Sequence, residues 1–162
     1  MTEIISKISS YNLFNYLLPG VLYSIIATKW TIYVFTIENV ILGAFLYYFI
    51  GMVISRIGSL WIEKLLTKGK IVKFAEYGDF VKASKKDEKL NLLSETNNSY
   101  RTIISLGICL LITKAYSELD LKIGIPEIFT SILMLAFITF IFILSYKKQT
   151  EYITKRIEAN ND

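Results

Sequence analysis

Histidine is absent from this chain, and cysteine occurs once, at Cys109. Without histidine the commonest general base, the commonest metal ligand and every Ser-His or Cys-His nucleophile pair are gone. One thiol makes neither an internal disulfide nor a zinc or iron–sulfur cage, so no cofactor is expected and the fold needs no oxidising compartment. Acid is missing where it would matter most, because no Asp or Glu falls in the core of any apolar run. Proton relays, coupled transporters and most membrane enzymes rely on intramembrane ionisable groups. No internal repeat supports a secondary transporter either. The chain therefore reads as non-enzymatic.

What is present is apolar and strongly segregated. Mean hydropathy is +0.45 and 53% of residues are hydrophobic, yet 20% are charged. Both hold because residues 39–55 and 128–146 carry no charge at all. The fold class expected is all-α, a polytopic membrane protein with four transmembrane helices and one domain's worth of chain. The spans fall at about 11–28, 39–57, 103–116 and 126–146. Pro19 interrupts the first and predicts a kink or break near its middle. The third is short and ends on Lys114. Pro126 and Glu127 start the fourth, since proline suits the first helical position and an acid complements the dipole there. The N-terminal run lacks a small-residue cleavage site, carries Glu3 and has Lys7 as its one early cation, so it is expected to be retained.

Four spans leave residues 1–10, the loop 58–102 and the tail 147–162 on one side. With Arg56 at the second span's end, fifteen of the 18 Lys and Arg residues belong to that side, and the rest are Lys29, Lys114 and Lys122. The positive-inside rule then puts both termini in the cytoplasm. The +4 net charge follows from this bias and from attraction to anionic headgroups, not from nucleic acid, for which no motif is present.

Within the loop, the second helix is expected to continue to about Gly69. Residues 71–74 form an apolar patch on the headgroups or on a helix end. Asp79 reads as an N-cap for a helix through Lys89 to Leu93, and Asn97-Asn98-Ser99 as a break before the third span. Lys82, Lys85, Lys86 and Lys89 form either a lipid or partner contact or a solvated face that enforces topology. Glycines able to cradle a phosphate are lacking: between 60 and 102 there are Gly69 and Gly78 alone. The tail is expected to extend the fourth helix and fray at Asn160-Asn161.

Three sets of residues stand out inside the spans. Asn12, Asn15, Tyr16, Pro19 and Tyr23 share one side of the first helix, and an asparagine in hydrocarbon needs a partner. That stripe lines a pore or an oligomer contact, or else caps the helix at the interface. Gly43, Gly51, Ser55 and Ser59 on the second span, and Ser105, Cys109 and Thr113 on the third, are small residues spaced for close helix approach. These faces pack on each other within one subunit or form a seam between subunits. Lys114 lines a pore or snorkels to the headgroups.

The segment Tyr11-Asn12-Leu13-Phe14-Asn15-Tyr16-Leu17-Leu18-Pro19-Gly20, with Gly51-Met52-Val53-Ile54-Ser55-Arg56-Ile57-Gly58-Ser59, resembles a group of small bacterial four-span membrane proteins with no assigned activity. Proteins of this size and span count also occur as membrane components of antiphage systems. The resemblance covers the first third of the chain, implies a bacterial inner membrane and carries no functional residue across. Two functions are expected to compete. One is a homo-oligomeric pore-forming or membrane-perturbing component, such as an antiphage defence effector. The other is a membrane anchor or adaptor that recruits a soluble partner through the basic loop.

Overall fold

A computed structural model describes residues 10–161, and among these every regular element is helical. Lys7 and the rest of residues 1–9 lie outside the described residues. Helix α1 consists of Ser10–Asn12, a π-helical turn Leu13–Leu17 and a regular α segment Leu18–Trp30. Helix α2 consists of Val40–Ile57, a second π turn Gly58–Ile62 and the extension Glu63–Lys68. Helix α3 is the short Tyr77–Ser84, α4 is Lys89–Ile123 and α5 is Glu127–Asn161.

Among the described residues three helices are long and apolar enough to cross a membrane: Val40–Lys68, Lys89–Ile123 and Glu127–Asn160. Spanning a hydrocarbon core of about 30 Å takes roughly 20 residues. At 29, 35 and 34 residues, all three run well past it. The first of the four expected spans is not among them; its helix carries Asn12, Asn15, Tyr16, Pro19 and Tyr23 among its apolar residues, which lower its hydropathy.

Pro19 sets the local shape of α1. Its ring would clash with the carbonyl four residues back, and it has no N–H to give. The chain does not break there. It widens into the preceding π turn, in which the Leu18 N–H reaches back to the Leu13 carbonyl, and the helix continues.

Two sequence expectations in the loop are corrected. A helix running from Asp79 to Leu93 does not form. It ends at Ser84, and α4 starts at Lys89, where Asp87 Oδ1 accepts the Lys89 N–H at 3.0 Å. Asn97-Asn98-Ser99 does not interrupt the next helix, which runs through it. The Ser99 hydroxyl is absorbed by the helix itself, donating to the Glu95 carbonyl, as that of the preceding Thr96 donates to the Leu92 carbonyl. The third apolar helix therefore extends far beyond 103–116 at both ends.

Sharp local signals set the remaining boundaries. Asn39 caps α2 by accepting the Ile41 and Leu42 N–H groups. Gly124, at φ 65°, closes α4 in the left-handed conformation that glycine adopts freely. Residues 69–76 link α2 to α3.

The core lies where α1, α2 and α4 meet, around Tyr23, Ala27, Ile54, Leu106 and Leu110. Its closest approach is between α1 and α2. A Cβ on Gly20 would fall on the Tyr47 carbonyl, and one on Gly51 would fall on the Tyr16 carbonyl. Bare Cα positions on both helices are what allow the backbones to touch. Helix α5 stands apart: its apolar face is almost wholly uncovered by the other described residues.

Candidate functional site

The glycine crossing brings polar side chains of three helices into register. One helical turn from it, Asn15 is fully buried. Its Nδ2 donates to Ser55 Oγ and to the Tyr11 hydroxyl, each at 3.1 Å. Thr102 Oγ1 donates to Asn15 Oδ1 at 2.7 Å and lies 3.2 Å from Ser55 Oγ. Ser105 Oγ donates to the Ile54 carbonyl at 2.8 Å. Further along, the Tyr23 hydroxyl meets Thr113 Oγ1 at 2.6 Å. Beyond that, the Ile32 N–H donates to Ser117 Oγ, and the Tyr33 hydroxyl to Asp120 Oδ2 at 2.6 Å. Burial and then the Asp120 carboxylate, which accepts the phenol's hydrogen bond, hold the Tyr33 phenol above the ordinary tyrosine range.

The first helix's polar stripe is thus engaged inside the chain. Asn15, Pro19 and Tyr23 are buried, and Asn12 is half-buried. Tyr16 accepts from Arg56 Nη2 at 3.1 Å and meets the Tyr48 ring edge-on. The small-residue stripe of α2 is divided among three neighbours. Gly51 faces α1, Ser55 serves α1 and α4, and Ser59 serves α5. Gly43 is covered by the ring of Tyr47, on its own helix. On α4, Ser105 and Thr113 bond across to α2 and α1, while Cys109 is free and packs beside the core. Lys114 reaches along its own helix to Glu118 at 2.5 Å.

At the other end of the bundle is an ionic cluster that sequence reasoning missed. Glu63, on the extension of α2, lies between Arg101 of α4 and Lys148 of α5. Its Oε2 pairs with Arg101 Nη1 and its Oε1 accepts from Lys148 Nζ at 3.0 Å. Lys148 Nζ also donates to the Ser59 carbonyl and hydroxyl, at 2.7 and 2.9 Å, and sits over the Tyr152 ring. All three ionic side chains are less than one-fifth exposed. Nearby, Arg56, Ser145, Lys148 and Tyr152 help to line a cavity of about 20 Å³, room for a single water. Arg101 Nε and Ser145 Oγ are buried without a hydrogen-bond partner among the described residues.

No family model, curated protein or solved structure matches the chain. What the cluster does is therefore argued from its chemistry. Its one hydroxyl–amine contact is Ser59 Oγ with Lys148 Nζ, and there the lysine donates to the hydroxyl while also paired with Glu63; among the described residues no group of three His, Cys, Asp or Glu could hold a metal. It is a joint. One carboxylate ties together α2, α4 and α5.

The joint extends to α3. Tyr77 stacks on Tyr152 with ring centroids 5.6 Å apart, Gly78 faces the Ala159 methyl, and Val81 is buried. Lys82, Lys85, Lys86 and Lys89 remain exposed around this docked helix and its link to α4, interspersed with exposed Asp87 and Glu88. Glu63 did leave a signal in the sequence, being the one acid between Glu38 and Glu76. Arg101 and Lys148 had been absorbed into the topology count.

Proposed function

We propose that this protein is a non-enzymatic, multi-pass anchor of a bacterial inner membrane that presents a rigid helical platform to a soluble cytoplasmic partner. The observation that carries this reading is the Glu63 joint. It ties the end of α2 to α4 and α5 at Arg101 and Lys148 and, through Lys148, Tyr152 and Tyr77, holds α3 against α5. Helices of 29, 35 and 34 residues measure about 44–52 Å, beyond the ~30 Å of a hydrocarbon core. The excess length is enough to build the platform. Residues 10–30, about 31 Å as a helix, act as the fourth span. With the cation excess on 56–102 and the tail, both termini then lie in the cytoplasm.

A homo-oligomeric pore-forming or membrane-perturbing assembly is the second reading. One observation favours it, the uncovered apolar face of α5, which a second copy could meet. The buried, hydrogen-bonded state of Asn15 weighs against it, since that side chain was the strongest candidate to line a path.

The two readings separate in a paired experiment. Full-length protein in nanodiscs is tested for binding the product of a neighbouring gene, and the same protein in liposomes is tested for ion leak. The anchor predicts tight liposomes and binding abolished by Lys82→Glu, Lys85→Glu and Lys86→Glu together. Ion leak, with binding absent or indifferent to those changes, overturns it.

A further inference from the structure

A stretch outside the joint combines three features that a solvated loop does not need. From 64 to 75 the chain carries Lys64, Lys68, Lys70 and Lys73 and no acid. All four lysines are exposed, and none has an ion-pair partner among the described residues. Three large apolar side chains share the stretch and lie open: Leu65 at 65%, Ile71 at 72% and Phe74 at 49% exposure.

The third feature is backbone strain that keeps one of those charges in place. Helix α2 ends in a Schellman turn, with the Lys70 N–H bonded to the Thr67 carbonyl and the Ile71 N–H to that of Leu66. The residue after the cap must be left-handed there, a position glycine usually takes. Here it is Lys70, at φ 57°, while Gly69 sits one residue too early to relieve it. A local rule broken at an exposed lysine points to a use for its charge.

We propose that residues 64–74 form a strap that lies on anionic phospholipid headgroups where α2 leaves the membrane. The four ammonium groups meet headgroup phosphates, and Leu65, Ile71 and Phe74 enter the boundary with the acyl chains. Charge complementarity selects this occupant, as polybasic segments beside a membrane helix are attracted to an anionic leaflet and exposed apolar groups add burial. Continuity does too, because the strap begins on the last turn of a helix able to cross the membrane. The Schellman turn reverses the chain at that point, so 71–74 is sent back from the helix end. The run Lys82–Lys89 lacks this character, since Asp87 and Glu88 interrupt it.

The inference goes beyond the anchor reading and rests on one part of it, that α2 crosses the bilayer. A spin label at Ile71→Cys, in a Cys109→Ser background, is followed in full-length protein in nanodiscs. The discs contain phosphatidylcholine alone or phosphatidylcholine with phosphatidylglycerol. With the anionic lipid the label should become accessible to dissolved oxygen and shielded from a water-soluble nickel complex. Raising the salt, or changing all four lysines to glutamine, should reverse this, the latter shifting the seated-to-free ratio by roughly a hundredfold or more. A label equally shielded in both lipids, or wet in both, overturns the strap; equal shielding would assign the cover to protein. A control label at Leu135→Cys on α5 must be lipid-accessible throughout. If it is not, the spanning reading fails and takes the strap with it, whereas a lipid-facing control beside a wet Ile71→Cys label sinks the strap alone.

Discussion

Replacing Glu63 by glutamine removes one charge and leaves nearly the same shape. In the native chain that carboxylate faces Arg101 and Lys148, each less than one-fifth exposed. Removing one partner of a buried ionic cluster costs about 3–5 kcal/mol, because the charges left behind stay desolvated without compensation. The residual exposure screens part of this, so about 2–3 kcal/mol is expected. Among the described residues Arg101 has no hydrogen-bond or ion-pair partner other than Glu63, and its Nε is unpaired. Lys148 retains Ser59, which keeps the loss below the upper figure. For a chain of this length about 2–3 kcal/mol corresponds to a fall in Tm of roughly 5–10 °C. Thermal unfolding of the full-length protein in one detergent, followed by helical signal, measures it. The reasoning makes a second demand. Glu63→Met, Arg101→Met and Lys148→Met together should be less destabilising than Glu63→Gln alone, since the triple variant strands no charge. A Glu63→Gln change costing under about 0.5 kcal/mol, typical of a solvated surface pair, would refute the joint.

Four further outcomes are expected. Gly51→Ala must push the Tyr16 carbonyl away and separate α1 from α2, at a cost of about 3 kcal/mol or more; Gly107→Ala, with open space around it, should instead stabilise by up to about 1 kcal/mol. A reversal of that order in the same thermal assay would place the helix crossing elsewhere. Asn15→Leu leaves Thr102 and Ser55 to each other and should cost about 2 kcal/mol, without altering ion leak from liposomes. Lys70→Gly relieves the left-handed backbone and should gain about 1 kcal/mol in detergent, where no anionic surface rewards the charge. For Tyr33 the folded pKa lies above the unfolded one, so its contribution is complete below about pH 10 and is lost as pH rises through the folded value. Tyr33→Phe should therefore remove one late-titrating phenol from an absorbance titration and flatten stability at the alkaline end.

Much of the architecture could be read from hydropathy because a bilayer-length apolar run has few other uses. The runs now in α2, α4 and α5 were located that way, as were the extension of α2 to Gly69 and the start of α5 after Pro126. Helix ends were less legible where polar residues had two outlets. Asn97-Asn98-Ser99 reads as a break only if its side chains compete with the backbone, and in α4 the Ser99 hydroxyl, like that of the preceding Thr96, bonds back to a carbonyl of its own helix instead. Pro19 likewise has two solutions, a break or a widened turn, and only the packing of α1 on α2 through Gly20 and Gly51 selects the second.

The candidate site divides in the same way. Asn15, Ser55 and Ser105 stood out as polar or small residues in apolar helices, since such groups demand a partner wherever they end up. Which partner was beyond reach, because Asn15 and Ser55 are 40 residues apart and Asn15 and Thr102 are 87 apart. Glu63, Arg101 and Lys148 were present in the sequence only as charges. A lysine counted for topology looks the same whether it faces water or is buried against a carboxylate.

By itself the sequence determined that the chain is helical, where the apolar runs of α2, α4 and α5 lie, and that its charge is gathered between the runs; the fourth span it led one to expect, 11–28, is not among the helices long and apolar enough for a membrane. These properties belong to single segments, where each residue's transfer energy adds to its neighbours'. The tertiary structure alone decided which helix faces meet, that the polar stripe of α1 turns inward, and that one glutamate binds three helices together. Those outcomes depend on distances between residues far apart in the chain, and no local pattern encodes them.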